Sequence, residues 1–213
     1  MLLPETAEEF RRSLLRWASE NAREYPWRER ERSRYEVFVA EFFLTQTPAD
    51  NVAGVYPKFL DRYPSLNAIR EAEVEKIESV IEPLGFQRMR AQALNSIAES
   101  VDELPDTSDQ LQELERVGPY VANATLCFAD CAKLPILDRN VERVYTRVFG
   151  DEYPDSRSER ERFCTEMLPE DPDDVRMYNL GLLDVGALVC TKRDPGCDDC
   201  FAFEYCDYAT SRE

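Results

Sequence analysis

Four cysteines close to the C-terminus constrain this chain more than any other feature of its sequence. Cys190, Cys197, Cys200 and Cys206 are separated by six, two and five residues. Four thiolates so close together are typical ligands of a soft metal centre, either one zinc ion or the corners of an iron–sulfur cube. A zinc ribbon usually supplies two Cys-x-x-Cys pairs and this stretch has one, so the spacing favours the cluster. Disulfides are disfavoured because seven cysteines is an odd number and no signal peptide precedes them.

The composition excludes some mechanisms and a membrane location, but it does not decide whether the protein binds nucleic acid. The chain has 43 acidic and 26 basic residues, a net charge of −17, and no histidine, which excludes every histidine-dependent mechanism. Such a charge ordinarily argues against a nucleic-acid partner. Most of the basic residues are arginines, however, and an acidic, lysine-poor chain suggests a prokaryotic halophile, where salt screens repulsion from phosphate. No apolar run is long enough to cross a bilayer, so we expect a cytoplasmic protein that contacts no membrane.

Apolar residues recur at helical spacing along the whole chain, whereas strand-like alternation and hairpin turn signals are scarce. The sequence therefore predicts an all-α fold. The predicted helices cover residues 6–23, 37–44, 49–62, 66–70, 72–82, 87–103, 108–116, 140–149, 156–167 and 173–190.

A tight turn, Val117-Gly118-Pro119, lies between two of these helical patterns. Proline is favoured at the first position of a helix, so Pro119 indicates where the second helix begins. The first amides of a helix have no partner within it, and its dipole favours an anion there. The turn therefore suits a phosphate, although an ordinary helix–turn–helix corner explains it equally well.

Two carboxylates precede or interrupt apolar helical stretches. Glu41 projects from an apolar helix face, and burial there would raise its pKa and suit it to act as a general acid. The residue types alone favour a position at the rim of such a face. Asp138 directly precedes a helical pattern and, taken alone, is best interpreted as an N-cap.

Together these stretches resemble the helix-hairpin-helix DNA glycosylase superfamily, in the branch of endonuclease III, the adenine mismatch glycosylases and the archaeal thymine mismatch glycosylases. The resemblance runs from Pro26-Trp27-Arg28 to Cys206. The cysteine spacing is the most specific motif, and the others follow in the family's order. They are Ala-Glu-Phe-Phe-Leu-Thr-Gln-Thr around Glu41, Leu84-Gly85, the hairpin, Ile136-Leu137-Asp138 and Asn-Leu-Gly-Leu-Leu-Asp at 179–184.

The resemblance implies two helical lobes with a DNA-binding cleft between them. Residues 24–135 would form a six-helix barrel, with the helix-hairpin-helix near 108–129, and residues 1–23 plus 136–213 would form an iron–sulfur lobe. The implied cofactor is a [4Fe-4S] cluster bound by the four cysteines. The implied partner is double-stranded DNA with a mismatched or damaged base, bound by a monomer.

The resemblance also implies roles for individual residues. Asp138 matches the aspartate that stabilises the oxocarbenium-like sugar and assists the attacking water, and Glu41 matches a glutamate that protonates the base. Tyr120 stands where bifunctional relatives have a lysine, so we expect hydrolysis without strand cleavage. The implied DNA contacts are Gln46, Arg88, Arg90, Arg116, Val117, Gly118, Lys192 and Arg193. The other cysteines, Cys127, Cys131 and Cys164, are expected to be buried fillers.

The resemblance indicates the target base less directly than it indicates the reaction. Tyr120, and a chain that stops soon after the cysteines, favour thymine or uracil opposite guanine. Gln46 matches a glutamine of the adenine branch, which leaves adenine opposite guanine or 8-oxoguanine open. Another damaged base is the remaining alternative. A non-catalytic DNA-binding or redox-sensing protein is the alternative of a different class, against which the pair Glu41 and Asp138 argues. Glu115-Arg116 replaces the family's usual Pro-Gly, so the hairpin would rely on Arg116.

Overall fold

The fold is all-α, as the sequence predicts. A computed structural model describes residues 4–211, and this part of the chain has four short 3-10 turns, α-helices and no β-strand. No helix within it is long and apolar enough to cross a membrane. The helices are α1 (Ala7–Asn21), α2 (Arg34–Leu44), α3 (Ala49–Arg62), α4 (Leu66–Arg70), α5 (Val74–Ile81), α6 (Gln87–Ser100), α7 (Ser108–Gln112), α8 (Pro119–Asp130), α9 (Arg139–Phe149), α10 (Arg157–Glu166), α11 (Pro172–Leu188) and α12 (Asp207–Thr210).

Two helices are shorter than the apolar spacing predicts, and the backbone gives the reason. The helix predicted to reach residue 103 ends at Ser100 because Val101 is extended, with φ −140° and ψ 144°. The helix predicted to reach residue 116 ends at Gln112. Four residues later Arg116 has a φ of +62°, a left-handed conformation that no α-helix accommodates.

The chain divides into two compact units. One comprises Met1–Arg23 and Cys131–Glu213, and the other comprises Glu24–Asp130. We call them the terminal unit and the central unit. Residues 1–3 and 212–213, which belong to the predicted iron–sulfur lobe, lie outside the described residues.

In the central unit α2 is a buried helix that packs against α3 and α8. Ser33 begins it with a reciprocal cap: its hydroxyl accepts a hydrogen bond from the Glu36 amide, and the Glu36 carboxylate accepts one from the Ser33 amide. Every residue from Val37 to Phe43 is buried, and α2 packs against α8. Arg34 joins the two helices through an ion pair of 2.8 Å with Asp130.

In the terminal unit α11 is the central element, with α1 and α9 packed against it. Gly181 permits the close approach of α1, because a Cβ at that position would lie 2.8 Å from the Cβ of Ala18. Asp184, also on α11, is completely buried and accepts hydrogen bonds from the Arg23 backbone amide at 2.8 Å and from Nε of Arg23 at 2.6 Å.

Aromatic side chains fill the core of the terminal unit. The Phe10 ring lies 5.4 Å from that of Phe149 and 5.7 Å from that of Phe201. The hydroxyls of Tyr145 and Tyr178, both buried, are hydrogen-bonded to each other at 2.9 Å. The loop that contains the four cysteines therefore rests on a closely packed aromatic core.

Candidate functional site

A cavity of about 360 Å³ lies in the central unit, where the end of α2, the start of α6 and the start of α8 meet. Its volume falls within the range of small-molecule pockets. Gln46 and Tyr120, which the sequence predicts as site residues, both line this cavity, although they are far apart in the chain. Its other lining residues include Phe42, Phe86, Met89, Arg116 and Gly118.

The sequence analysis did not select Phe86, which stands out on the cavity rim. Its side chain is 58% exposed, and its φ of +52° places a bulky residue in the left-handed region. The exposed apolar ring and the left-handed backbone each cost free energy in the protein without a partner. A large apolar residue directly after Gly85 and directly before a helix is the signal from which it could have been found.

The hairpin between α7 and α8 carries three predicted DNA contacts. Val117 is buried and its amide donates to the carbonyl of Leu114 at 3.1 Å, which closes the turn. The Ala122 amide donates to the carbonyl of Gly118 at 3.0 Å, and this is the first hydrogen bond of α8. Arg116 is exposed but left-handed. Glycine adopts that conformation readily, whereas the arginine here is held in it at a conformational cost.

Arg90 lines the cavity but is almost completely buried, so it does not present its guanidinium at the surface, and its contact with DNA stays a prediction. The residue is 5% exposed, and burial lowers the pKa of its guanidinium. Nη1 donates to the carbonyls of Phe42 and Phe43. Nη2 donates to the carbonyl of Thr45 and to the hydroxyl of Thr47. Arg88, two residues earlier on α6, is exposed.

Glu41 lies inside the core of the central unit and not at the rim that its neighbours in sequence suggest. Its side chain is 2% exposed. The cavity is lined by the next residue on α2, Phe42, and not by Glu41 itself. α2 is thus buried on all sides along this stretch. The apolar residues around Glu41 in the sequence are compatible both with such a helix and with one that buries a single face, so they could not show that Glu41 is buried.

Asp138 caps α9, as its position in the sequence predicts. Oδ1 accepts hydrogen bonds from the amides of Asn140 and Val141, both at 2.8 Å, and Oδ2 accepts one from Nδ2 of Asn140 at 3.1 Å. The Asn140 side chain in turn accepts a hydrogen bond from Arg143, whose Nε donates to the carbonyl of Cys190 at 2.8 Å. The sequence analysis missed Asn140 and Arg143, which connect the aspartate to the cysteine loop.

The four predicted metal ligands lie together. Cys190, Cys197, Cys200 and Cys206 line one cavity of the terminal unit, whose lining is otherwise mostly apolar. Burial, with a smaller contribution from the charges of the other three thiols, raises the pKa of Cys200 to about 11. Among residues 4–211, however, no three histidine, cysteine, aspartate or glutamate side chains form a group that could hold a single metal ion.

The loop that bears these cysteines is held by Arg147. Its Nη1 donates to the Cys190 sulfur at 3.3 Å and to the carbonyl of Thr191 at 2.7 Å, and its guanidinium stacks over the Tyr208 ring at 4.5 Å. Lys192 and Arg193, at the tip of the same loop, are exposed.

Two of the three remaining cysteines are buried fillers, as expected: Cys127 is completely buried and Cys164 is 2% exposed. The prediction is wrong for Cys131, which is partly exposed and has a φ of +55°. Its thiol donates to Oδ1 of Asp173 across 3.8 Å.

An all-α chain with a helix-hairpin-helix beside a cavity and a four-cysteine loop on a separate unit has the architecture of a DNA repair glycosylase. The chain belongs to the HhH-GPD superfamily of base excision DNA repair proteins, whose family model matches residues 39–170.

Curated relatives cover almost the whole chain. It is 34% identical to a thymine/uracil-DNA glycosylase of Pyrobaculum aerophilum, over 96% of this chain and 93% of that protein. It is 32% identical to a thymine-DNA glycosylase of Aeropyrum pernix, over 94% of each. An adenine DNA glycosylase of Mycolicibacterium smegmatis is 33% identical over 88% of this chain, which spans 65% of that longer protein.

Solved structures agree with this assignment. A thermostable thymine-DNA glycosylase superimposes with a TM-score of 0.91 and 26% identity, over 97% of this chain and 98% of that one. Endonuclease III, in a complex with DNA, superimposes with a TM-score of 0.82 and 22% identity, over 100% of this chain and 99% of that one. The second likeness concerns the fold alone.

Proposed function

We propose that this protein is a monofunctional DNA N-glycosylase that removes thymine or uracil mispaired with guanine and leaves an abasic site. The observation that carries the proposal is the cavity of the central unit, where Gln46 and Tyr120 meet. A glycosidic bond is inaccessible inside the base stack, so the enzyme must flip the target nucleotide into a pocket of this kind. The apolar side chains of Phe42 and Met89 offer a surface for the face of a base.

The reaction is a hydrolysis assigned to two carboxylates. Asp138 is the proposed catalytic residue that stabilises positive charge on the sugar and directs the attacking water. The C1′–N bond breaks, the oxygen of the water bonds to C1′, the departing base gains a proton, and the proton that the water loses replaces the one that the acid gave up. We assign the delivery of a proton to Glu41, which directly precedes Phe42 of the cavity lining on α2 and is buried away from bulk solvent.

Tyr120 supports a glycosylase without lyase activity. In the part of the chain that the structure describes, none of the residues lining the cavity is a lysine. An amine is needed to attack C1′ and form the Schiff base that leads to strand cleavage. Water is therefore the proposed nucleophile, and the phosphodiester backbone stays intact.

The relatives favour thymine or uracil over adenine. Both archaeal relatives, a thymine/uracil-DNA glycosylase and a thymine-DNA glycosylase, match 94% or more of this chain, whereas the mycobacterial adenine glycosylase matches 88% of it. Adenine opposite guanine or 8-oxoguanine remains the second candidate, because Gln46 on the cavity matches a glutamine of the adenine branch.

DNA binding by a monomer is proposed to use both units, one as the barrel lobe and the other as the iron–sulfur lobe. The exposed cations Arg88 and Arg116 belong to the central unit, and Lys192 and Arg193 belong to the terminal unit. Gly118 has an unremarkable φ, and a Cβ there would meet nothing within 4 Å. Neither conformation nor packing within the chain requires this glycine, which fits a close approach of the DNA backbone to the hairpin.

A [4Fe-4S] cluster is the proposed cofactor, and the thiol arrangement fits it. The four cysteines stand around a shared, mostly apolar cavity, and Arg147 offers Cys190 an N–H···S hydrogen bond. The cluster would hold the loop that presents Lys192 and Arg193.

One cleavage experiment tests these assignments. The protein is incubated with duplexes containing G·T, G·U, A·G or A·8-oxoguanine over a range of salt concentrations, and alkali then cleaves any abasic site. We expect cleavage of the thymine and uracil strands. Cleavage of the adenine strands instead would establish the second candidate, and scission before alkali would contradict the monofunctional assignment. Binding with no cleavage of any duplex would favour a DNA-binding or redox-sensing protein.

A further inference from the structure

Arg90 joins two irregular turns that border the cavity of the central unit. The first turn, Phe42–Thr47, ends α2 and contains Gln46, which is exposed and has a φ of +58°. The second turn, Leu84–Phe86, precedes α6 and contains Gly85, with a φ of +74°, and Phe86. The backbone at Thr45–Thr47 and at Gly85–Phe86 lies outside the helices, although each of these segments places a side chain on the cavity.

The guanidinium of Arg90 supplies the missing donors to the first turn. The last carbonyls of a helix have no partner within it, and a cation is favoured near them. Arg90 donates to Phe43 at 2.8 Å and Phe42 at 3.2 Å, and then to the Thr45 carbonyl, at 2.7 Å, directly before Gln46. These acceptors are neutral, so the arginine acts as a rigid fork and not as half of an ion pair.

Thr47 extends the connection to the second turn. Its hydroxyl accepts a hydrogen bond from Nη2 of Arg90 at 2.7 Å and donates to the carbonyl of Leu84 at 3.3 Å. Both Arg90 and Thr47 are buried, at 5% and 9% exposure, so these bonds are shielded from water. The buried pair of Arg90 and Thr47 therefore connects the backbone of the two turns.

We propose that Arg90 is a positioning residue, which holds Gln46 and Phe86 in the conformations that the glycosylase needs to receive an extruded base. The inference rests on the proposed function, because it assigns these two side chains a task in the reaction. Arg90 is assigned no chemical step: its task is to act through the two turns that it supports. Without its fork the two turns would lose their common support, and the cavity rim would become mobile.

The test compares Arg90→Lys with Arg70→Lys. Arg70 is a matched control in the same unit: its guanidinium also donates to carbonyls at a helix end, those of Ala98 and Val101, at 2.5 and 2.9 Å. It does not line the cavity. Both variants are expected to lower the melting temperature, so loss of stability alone does not distinguish them.

The first readout combines two measurements. One is the single-turnover cleavage rate, corrected for the fraction of active protein, and the other is the affinity for a mismatched duplex. Arg90→Lys should slow cleavage by about tenfold to a hundredfold with little change in affinity, because misplacing groups near the reacting centre costs that much. Arg70→Lys should cleave at the wild-type rate. Thr47→Val should repeat part of the Arg90 effect, and Thr47→Ser, which keeps the hydroxyl, should restore it.

The second readout is amide hydrogen exchange in the free protein, which needs no activity. Exchange in residues 44–47 and 84–87 should accelerate in Arg90→Lys and not in Arg70→Lys. Unchanged exchange there would overturn the anchoring role whatever base the enzyme removes. Accelerated exchange with an unchanged cleavage rate would overturn the positioning role. A wild-type protein that cleaves no duplex would refute the proposed function and, with it, the positioning role of Arg90. The amide hydrogen exchange rates would still decide whether Arg90 anchors the two turns.

Discussion

Asp138 and Val141 are joined by a hydrogen bond of 2.8 Å from the Val141 amide to the carboxylate that is assigned to catalysis. One side chain thus has two tasks, to begin α9 and to act on the sugar. Asparagine and serine are good N-caps, whereas alanine is not. We expect Asp138→Asn and Asp138→Ser to abolish cleavage and to keep the wild-type free energy of unfolding. Asp138→Ala should lose activity and about 1 kcal/mol of stability.

The measurements are single-turnover cleavage and urea unfolding on the same preparations. Binding to the mismatched duplex should survive in Asp138→Asn and Asp138→Ser. Cleavage by Asp138→Ser at the wild-type rate would show that the carboxylate only caps the helix.

Phe86 offers a test of contact with bases. Its exposed ring contributes little to the core, so Phe86→Ala should leave stability unchanged. If the ring stacks on a base, its loss should cost about 1–3 kcal/mol of binding or transition-state stabilisation, and Phe86→Tyr should retain most of it. Leu188, 52% exposed at the end of α11 in the terminal unit, is the matched control. Equal effects of Phe86→Ala and Leu188→Ala on cleavage would argue against stacking.

Arg116 combines a left-handed backbone with a cation at the hairpin. Arg116→Gly should raise the free energy of unfolding by about 1 kcal/mol, because glycine adopts this conformation without the Cβ clash. It should also weaken DNA binding and reduce the slope of log affinity against log salt by about 1. Arg116→Lys separates the two effects, since it keeps both the charge and the strain. A Gly variant that binds DNA with the wild-type salt slope would remove Arg116 from the interface.

The cysteine loop predicts a coloured protein. The wild-type chain should contain iron and inorganic sulfide in equal amounts and absorb broadly in the visible range, and Cys200→Ser should lose most of both. Cys164→Ala is the control, because that buried thiol does not line the cavity of the four cysteines. A colourless wild-type protein that contains zinc would mean that the cofactor assignment is wrong.

The buried ion pair of Asp184 and Arg23 makes a prediction about stability alone. Arg23→Gln removes the charged donor that lies 2.6 Å from a completely buried carboxylate. Loss of one partner of such a pair should cost about 3 kcal/mol. Arg12→Gln, an exposed arginine on α1, should change little. Chemical unfolding of both variants measures the difference, and equal stabilities would show that other groups solvate Asp184.

The sequence by itself determined the features that depend on neighbours along the chain. Apolar spacing predicts the helices, the position of Asp138 predicts its cap, and the gaps between the cysteines predict that their thiols share one cavity. Each of these follows from short-range geometry, because a helix turn or a short loop brings the residues together whatever the rest of the chain does.

Only the tertiary structure decided where residues from distant segments lie. Arg88 and Arg90 have similar surroundings in the sequence, yet Arg88 is exposed and Arg90 is buried against the end of α2. The packing of α6 against its neighbours determines which of its faces meets solvent. The same packing buries Glu41 and brings Gln46, Phe86 and Tyr120 to one cavity. Burial is a property of the packed elements together, and no local pattern of residues contains it.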